Sequence, residues 1–255
     1  MKLKRAKLDC GIWYNQNKEA VNVKFEPIHA PSATDIFTNQ MKEAIILRKL
    51  KPGETLPHER ELAEQMGVSR SVINHGLQRL AQLHFITIKP RQGAVVADYL
   101  VDGTLETMHE VVALHDGFYT PAMLQSIYQV RRSLECDAIK LAAQKRLAEP
   151  LREARRALMR FKNGDNLDVQ SPAIFDFFHS LAIASGNQVY TMMINSLKPI
   201  YLRLGRWNAQ RDNGVATIFE LNETLLTAVE AGQVAEAVAA DERLIEWSLQ
   251  DLMQA

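Results

Sequence analysis

The sequence predicts a mainly α protein, with an N-terminal winged helix-turn-helix domain followed by a C-terminal antiparallel helical bundle. Three observations predict it. Between Glu59 and Ala97, two stretches with helical apolar spacing are separated by Gly67 and followed by two short β-branched runs. From residue 99 onward no strand pattern appears, and apolar residues recur at helical spacing between Gly- and Pro-marked breaks. The formal net charge of zero hides an asymmetry: residues 1–98 carry 15 Lys+Arg against 10 Asp+Glu, and residues 99–255 carry 15 against 20. A basic front half and an acidic back half suit a chain whose front half meets a polyanion.

The expected division is 1–34, an N-terminal extension of unassigned role; 35–98, the winged domain; 99–120, a linker with a short helix; and 121–255, an all-α domain. The extension carries a basic cluster, Lys2, Lys4, Arg5 and Lys7, and is broken by Pro27 and Pro31. It reads either as a partly ordered tail or as an arm that packs on a partner subunit or touches phosphate. No apolar run follows the basic start, so a secretory leader is not expected. Nor does any apolar run approach the roughly 18 residues of a membrane span. Cys10 and Cys136 share no metal-type spacing and read as free thiols in a reducing cytoplasm.

The first helix of the winged domain is expected from Asp35 to Arg48, with Thr34 or Asp35 as its cap. Ile36, Met41, Ala44, Ile45 and Leu47 form its apolar face. Lys51-Pro52-Gly53 makes a turn, and Thr55-Leu56-Pro57 a short extended segment. The next helix, Glu59–Met66, turns Leu62, Ala63 and Met66 inward. Gly67 sits just past its end, where a left-handed residue is cheap. Ser69 caps the following helix, which turns Val72, Ile73, Leu77 and Leu80 inward. Its exposed start carries Arg70, Ser71, Asn74 and His75, where a recognition helix presents side chains to base edges. Ile86–Ile88 and Ala94–Val96 form the wing, with Gly93 in the turn and Lys89 and Arg91 flanking the tip. The candidate contacts to double-stranded DNA are therefore Arg60, Ser69, Arg70, Ser71, Asn74, His75, Lys89 and Arg91. Arg70 is assigned to base readout, and Arg60 to base or phosphate contact, since a guanidinium serves either role. Arg79, late in its helix, reads as a phosphate contact or a salt bridge.

A short amphipathic helix is expected around Leu105, Met108, Val111, Val112 and Leu114, broken by Asp116-Gly117. The bundle helices are expected over 121–145, from Glu149 or Pro150 to 162, then 172–184, 189–207, 214–230 and 234–253, with short antiparallel connections. Of Arg131, Arg132 and Glu135 on the first of these, one is expected to project inward. The chain has no G-x-x-x-x-G-K-[ST], G-x-S-x-G or H-E-x-x-H, its cysteines are not clustered, and its histidines are scattered. An enzyme is not expected, nor a cofactor.

Leu56-Pro57-His58-Glu59-Arg60-Glu61-Leu62, Gly67-Val68-Ser69-Arg70 and Leu77-Gln78-Arg79-Leu80 together resemble the N-terminal domain of GntR-type bacterial transcriptional regulators. The bundle resembles the FadR branch of that family, most closely over 181–206. There Ala184-Ser185-Gly186-Asn187, Tyr190, Asn195, Lys198, Tyr201, Arg203 and Gly205-Arg206 carry the likeness. The resemblance implies a homodimer on a pseudo-palindromic operator and a small-molecule effector in the bundle. That effector would be a long-chain acyl-CoA or, alternatively, a small carboxylate or sugar acid. It implies effector contacts at Arg131, His179, Tyr190, Asn195, Lys198, Tyr201, Glu242 and Trp247. Relatives in this branch often hold a metal with an Asp-x-x-x-His set and two later histidines. Here those positions read Phe175, His179, Asn222 and about Leu244, so no metal is expected, because one ligand cannot hold one. Other departures are Asn74 in place of an arginine, Pro90 in place of a wing histidine, and Ala237, Ala240 and Arg243 on the last helix. Asn74 implies an operator altered at the base it faces, because Asn pairs with adenine where Arg favours guanine.

Overall fold

The computed structural model describes residues 31–114 and 121–250. The readings of the N-terminal basic cluster, of Cys10, of Asp116-Gly117 and of the last helix beyond 250 lie outside these residues. The front of the chain folds as α1 (Ala33–Ile46), α2 (Glu59–Met66), α3 (Arg70–Gln82), β1 (Ile86–Lys89) and β2 (Gly93–Val96). The strands pair antiparallel, with Ile86 opposite Val96 and Lys89 opposite Gly93. Thr55 bridges to Val95 and the Leu56 N–H donates to the Ala94 carbonyl at 2.8 Å, so the extended segment before α2 flanks the wing.

This head closes over Phe37, Ile45, Ile73, Leu77, Leu80 and Phe85, all buried. Gly76 sets its tightest contact. A Cβ there would lie 2.2 Å from the Phe37 ring, so any side chain would push α3 off α1. The α1 cap differs from the expected one. Ser32, not Thr34 or Asp35, is the N-cap: its hydroxyl accepts from the Asp35 N–H and the Asp35 carboxylate accepts from the Ser32 N–H. This reciprocal pairing is the capping box, which needs an acid or amide three residues after the hydroxyl. Arg79 resolves to a salt bridge, 2.6 Å from Asp35.

The back of the chain continues through α4 (Tyr99–Asp102), α5 (Leu105–Leu114), α6 (Pro121–Lys145), α7 (Ala148–Asn163), α8 (Leu167–Ala184), α9 (Gln188–Ser196), α10 (Lys198–Ala209), α11 (Gly214–Ala231) and α12 (Val234–Gln250). No helix among the described residues is long and apolar enough to cross a membrane. The most enclosed helix is α8, which packs against α6, α7, α9 and α10 and buries Phe175, Phe177, Phe178 and Leu181.

Two boundaries differ from expectation for reasons of proline chemistry. α8 starts at Leu167 rather than Pro172, because the Asn166 side chain caps it by accepting from the Asp168 and Val169 N–H groups. Pro172 sits in its second turn, where the missing N–H removes only one ladder bond. The helix expected over 189–207 is two helices broken at Leu197. Pro199, at the second position of α10, starts a helix readily but cannot donate into a preceding one.

The short helix α5 belongs to both parts of the molecule. Val111 packs into the head core and Val112 into the bundle core. On the head side, Thr107 Oγ1 donates to the Leu83 carbonyl at 2.9 Å and the buried Lys42 pairs with Glu110. On the bundle side, His109 Nε2 lies 2.6 Å from the Ser196 carbonyl and Arg203 Nη1 donates to the Val112 carbonyl at 2.7 Å.

Candidate functional site

The first candidate surface is the outer face of the head. Gly67, at φ +65°, closes the α2–α3 turn, and Ser69 caps α3 by accepting from the Val72 N–H at 3.3 Å. With those two residues the chain reverses in a few residues and α3 starts with its first turn at the surface. Arg60, Ser69, Arg70, Ser71 and His75 are exposed there, and Asn74 is half-buried. Arg70, Lys89 and Arg91 have no protein partner among the described residues. Arg60 is loosely paired, 3.8 Å from Glu64.

The wing tip is a turn closed by the Gln92 N–H to the Lys89 carbonyl at 3.2 Å, with Pro90 and Arg91 between them. Arg91 sits at φ +65°. A side chain in that region costs on the order of 1 kcal/mol that glycine would not. The chain therefore spends conformational energy to hold a guanidinium at the tip. Together these groups put cations, most of them without a protein partner, beside amide and hydroxyl groups on one face, the chemistry that meets phosphates and base edges.

The second candidate lies in the bundle and is its opposite in character. Arg131 and Glu135 are one helical turn apart on α6 and both are buried, with Arg131 Nε donating to Glu135 at 2.7 Å. Tyr201 of α10 donates its hydroxyl to the same carboxylate. The guanidinium is ringed by aromatic faces, 4.6 Å from the Tyr201 centroid, 5.3 Å from Tyr128 and 6.0 Å from Phe178. Asp241 of α12 is fully buried within reach of Glu135. Burial first, and the neighbouring Glu135 carboxylate second, raise its pKa well above the ordinary carboxylate range. Asp241 therefore keeps its proton to higher pH than an ordinary carboxyl does. Cys136 donates to Asp241 at 3.5 Å, and burial with Asp241 beside it pushes the thiol up to about 12, so it is no nucleophile.

A cavity of about 30 Å³ opens against this cluster, walled by Arg131, Phe178, Tyr201, Asn208, Asn222 and Ser248. Asn222 Oδ1 is buried there with no partner, while its amide donates to the Ile218 carbonyl at 2.8 Å.

The eight bundle residues expected to share a site are not all brought together. Arg131 and Tyr201 meet at the cavity. His179 stacks on Phe175 at 5.5 Å with Lys198 over the same ring at 4.8 Å. Burial lowers the His179 pKa, and the Lys198 ammonium adds to this against the opposing pull of Asp176. The other four lie apart. Tyr190 donates to Asp137 at 3.3 Å, Asn195 is exposed, Glu242 pairs outward with Arg132, and Trp247 stacks under Arg211 at 4.0 Å. The break at Leu197 separates Tyr190 and Asn195 from Tyr201, which the reading of one continuous helix had joined. Both Arg131 and Glu135 project inward, and Arg132 does not, where one of the three was expected to do so.

Sequence reasoning missed Tyr128, Asn208, Asp241 and Ser248. Asp241 left a trace, an acid just after the apolar run Ala237-Val238-Ala239-Ala240 on the buried side of α12. Among the described residues no group of three or more His, Cys, Asp or Glu could hold a metal ion. Of the positions of that metal-binding pattern, Asn222 and Leu244 line the cavity, and Phe175 packs edge-on to Tyr201 with His179 stacked on Phe175.

Comparison with known proteins accounts for both halves. Residues 38–96 match the model for bacterial regulatory proteins of the gntR family, and residues 126–246 match the FCD domain. The fatty acid metabolism regulator protein of Yersinia pestis (strain Pestoides F) is 28% identical over 216 residues, which span 83% of this chain and 88% of that one. Its counterpart from Yersinia pseudotuberculosis serotype O:1b matches to the same extent. Among solved structures, that of Lar, described as controlling the expression of the Listeria monocytogenes agr system, superposes with a TM-score of 0.60. It is 15% identical and covers 89% of this chain and 97% of that one, a likeness of fold. The exposed head and the polar-cored bundle thus have one explanation: the chain belongs to the gntR family of bacterial transcriptional regulators, with an FCD effector-binding domain behind its DNA-binding head.

Proposed function

We propose that this regulator binds a pseudo-palindromic duplex operator as a homodimer in the cytoplasm, and that a small molecule in the bundle changes its DNA affinity. The observation that carries this reading is α5, whose adjacent valines sit in two different cores. A shift of the bundle helices that moved Val112 would move Val111, and with it the seat of the reading head. A ligand that binds one arrangement better than another shifts the balance between them, by a coupling of about 1–3 kcal/mol in usual cases. Arg70, at the first position of α3, reads a base, while Arg60, Lys89 and Arg91 hold phosphates or groove edges.

For the effector, the resemblance to the FadR branch implies a long-chain acyl-CoA, and the Yersinia relatives are named for fatty acid metabolism. A separate observation supports a small hydroxy- or sugar-acid carboxylate. Such a ligand would compete with Glu135 for the Arg131 guanidinium and donate a hydroxyl to the unpartnered Asn222 Oδ1. Either ligand requires the helices around the 30 Å³ cavity to part.

The test uses the full-length chain. A duplex is selected from a randomised pool, and binding is followed by fluorescence anisotropy, with native mass spectrometry for stoichiometry. Two chains per duplex are expected, and Arg70→Ala should weaken binding about 5–150-fold, the usual worth of a bidentate base contact. Micromolar long-chain acyl-CoA that releases the duplex supports the first effector. Release by small hydroxy acids alone supports the second. A single chain per duplex would sink the dimer reading.

A further inference from the structure

The Asn74 side chain is not free to choose its orientation. Its amide donates to Glu59 Oε1 at 3.0 Å, across the turn from the first position of α2. Glu59 is itself exposed on the same face of the head. An asparagine amide has a carbonyl end and an NH₂ end, and on its own it can present either by flipping about its last bond. A carboxylate only accepts. Flipping Asn74 would therefore turn its carbonyl oxygen onto the Glu59 oxygens, two acceptors facing each other. The contact locks the NH₂ end toward Glu59 and leaves Oδ1 and the second N–H for whatever faces the helix.

We propose that Glu59 is a positioning residue for base readout, which fixes Asn74 as an adenine reader and denies it guanine. This inference rests on the reading of α3 as the recognition helix. Adenine shows a donor, its N6 amino group, beside an acceptor, N7, in the major groove. That pattern complements an acceptor and an N–H held side by side. Guanine shows two acceptors, O6 and N7. An unrestrained asparagine answers guanine by turning its NH₂ outward. Asn74 does so only by losing its bond to Glu59 and burying one acceptor against another, a repulsion that selects as strongly as the attraction to adenine. Glu59 also adds its own acceptor oxygens beside the groove edge, a further bias against the acceptor pair of guanine.

The decisive substitution is Glu59→Gln. It keeps the size and reach of the side chain and a hydrogen bond to Asn74, but a glutamine amide can donate or accept. The lock is removed and the contact survives. The full-length chain, Glu59→Gln and Asn74→Ala are each used to select from the same randomised duplex pool. Affinity for the enriched duplexes is then measured by anisotropy with each base pair in turn at the selected position. The unaltered chain should prefer adenine over guanine at one position per half-site by about 5–150-fold, the range usual for a bidentate pair. Asn74→Ala should lose that preference there alone. Glu59→Gln should select the same motif elsewhere, bind it at least as tightly, and bring adenine and guanine to within about threefold of each other. A merely structural role for Glu59 would instead weaken all sequences alike.

If Glu59→Gln retains the full preference, or Asn74→Ala changes no position, the proposal is overturned while the DNA-reading function stands. If the unaltered chain enriches no motif, the recognition-helix reading fails and this inference with it.

Discussion

The head and the bundle spend their polar groups in opposite ways. In the head the polar side chains of interest are exposed, sit at helix starts or a strand turn, and several have no protein partner. In the bundle they are buried, lie on α6, α10, α11 and α12, and answer one another. The first arrangement leaves hydrogen-bonding capacity for a partner that arrives from solvent. The second satisfies most of its own groups, Asn222 Oδ1 being left over, and a ligand must displace an internal partner to reach Arg131. Stability should therefore depend on the bundle's polar groups and hardly at all on those of the head.

The largest expected effect is the loss of Arg131. Arg131→Leu leaves Glu135 buried without its cation, a situation that costs about 3–5 kcal/mol when one partner of a buried pair is removed. Of the three tryptophans, Trp207 and Trp247 lie in the bundle, so with Trp13→Phe in every variant, tryptophan fluorescence in a urea titration reports on the right region. Glu135→Leu added to Arg131→Leu should recover much of the loss, because a packed apolar pair can replace an ion pair of similar volume at little cost. Arg70→Ala in the head should leave the same transition in place. An equal shift from Arg70→Ala would erase the contrast between the two regions.

Asp241 sharpens the comparison through pH. Burial and Glu135 raise its folded-state pKa well above its ordinary value of 3.8. The folded protein thus holds this proton more tightly than the unfolded chain does. Its contribution is complete below the ordinary carboxylate pKa and drains away as pH rises toward the folded value, by up to about 1.4 kcal/mol per pH unit. Asp241→Asn supplies a permanent donor to Glu135 in place of the proton. The variant should gain stability over the unaltered chain as pH rises from 4 to 7, with the two converging at the acid end. Urea midpoints across that range decide it, and parallel curves would mean that Asp241 does not titrate differently in the folded state.

Legibility followed the same division. The head could be read from one stretch because its signals are local: Gly67 ends one helix, Ser69 caps the next, and β-branched runs flank Gly93. Its polar candidates all lie within a few residues of those markers. Even so, the α1 cap reads from sequence as Thr34 or Asp35, because Ser32 directly follows Pro31 in a stretch that two prolines break. The bundle's helices were legible as helices, yet the site was not. Its partners lie up to 120 residues apart in sequence, as Tyr128 and Ser248 do, and helical spacing does not say which of two polar neighbours turns inward. Pro199 was present as a warning that 189–207 could not be one helix, and the break it makes is what carried Tyr190 and Asn195 away from Tyr201.

The smallest expected effect joins the two regions. Lys42 is buried on the head side of α5 and pairs with Glu110, which is partly exposed. Arg203 holds the other side of α5 through the Val112 carbonyl. Lys42→Met keeps the apolar stem that fills the head and removes only the charge that grips α5. The head should fold as before and bind its selected duplex within about threefold of the unaltered chain, since no reading residue is touched. What should change is communication. Linkage is reciprocal, so if bundle ligands alter DNA binding, DNA must alter the bundle. Saturating duplex should then shift amide hydrogen exchange in α9 and α10 of the unaltered chain. Lys42→Met should shrink that shift by an amount equivalent to about 0.5–2 kcal/mol, the usual effect of a substitution along a coupling route. A shift that persists undiminished in Lys42→Met would mean that the Lys42–Glu110 grip carries none of the coupling. The apolar contacts of Val111 and Val112 would then be left as the joint between a head that waits for a partner and a bundle that already has its own.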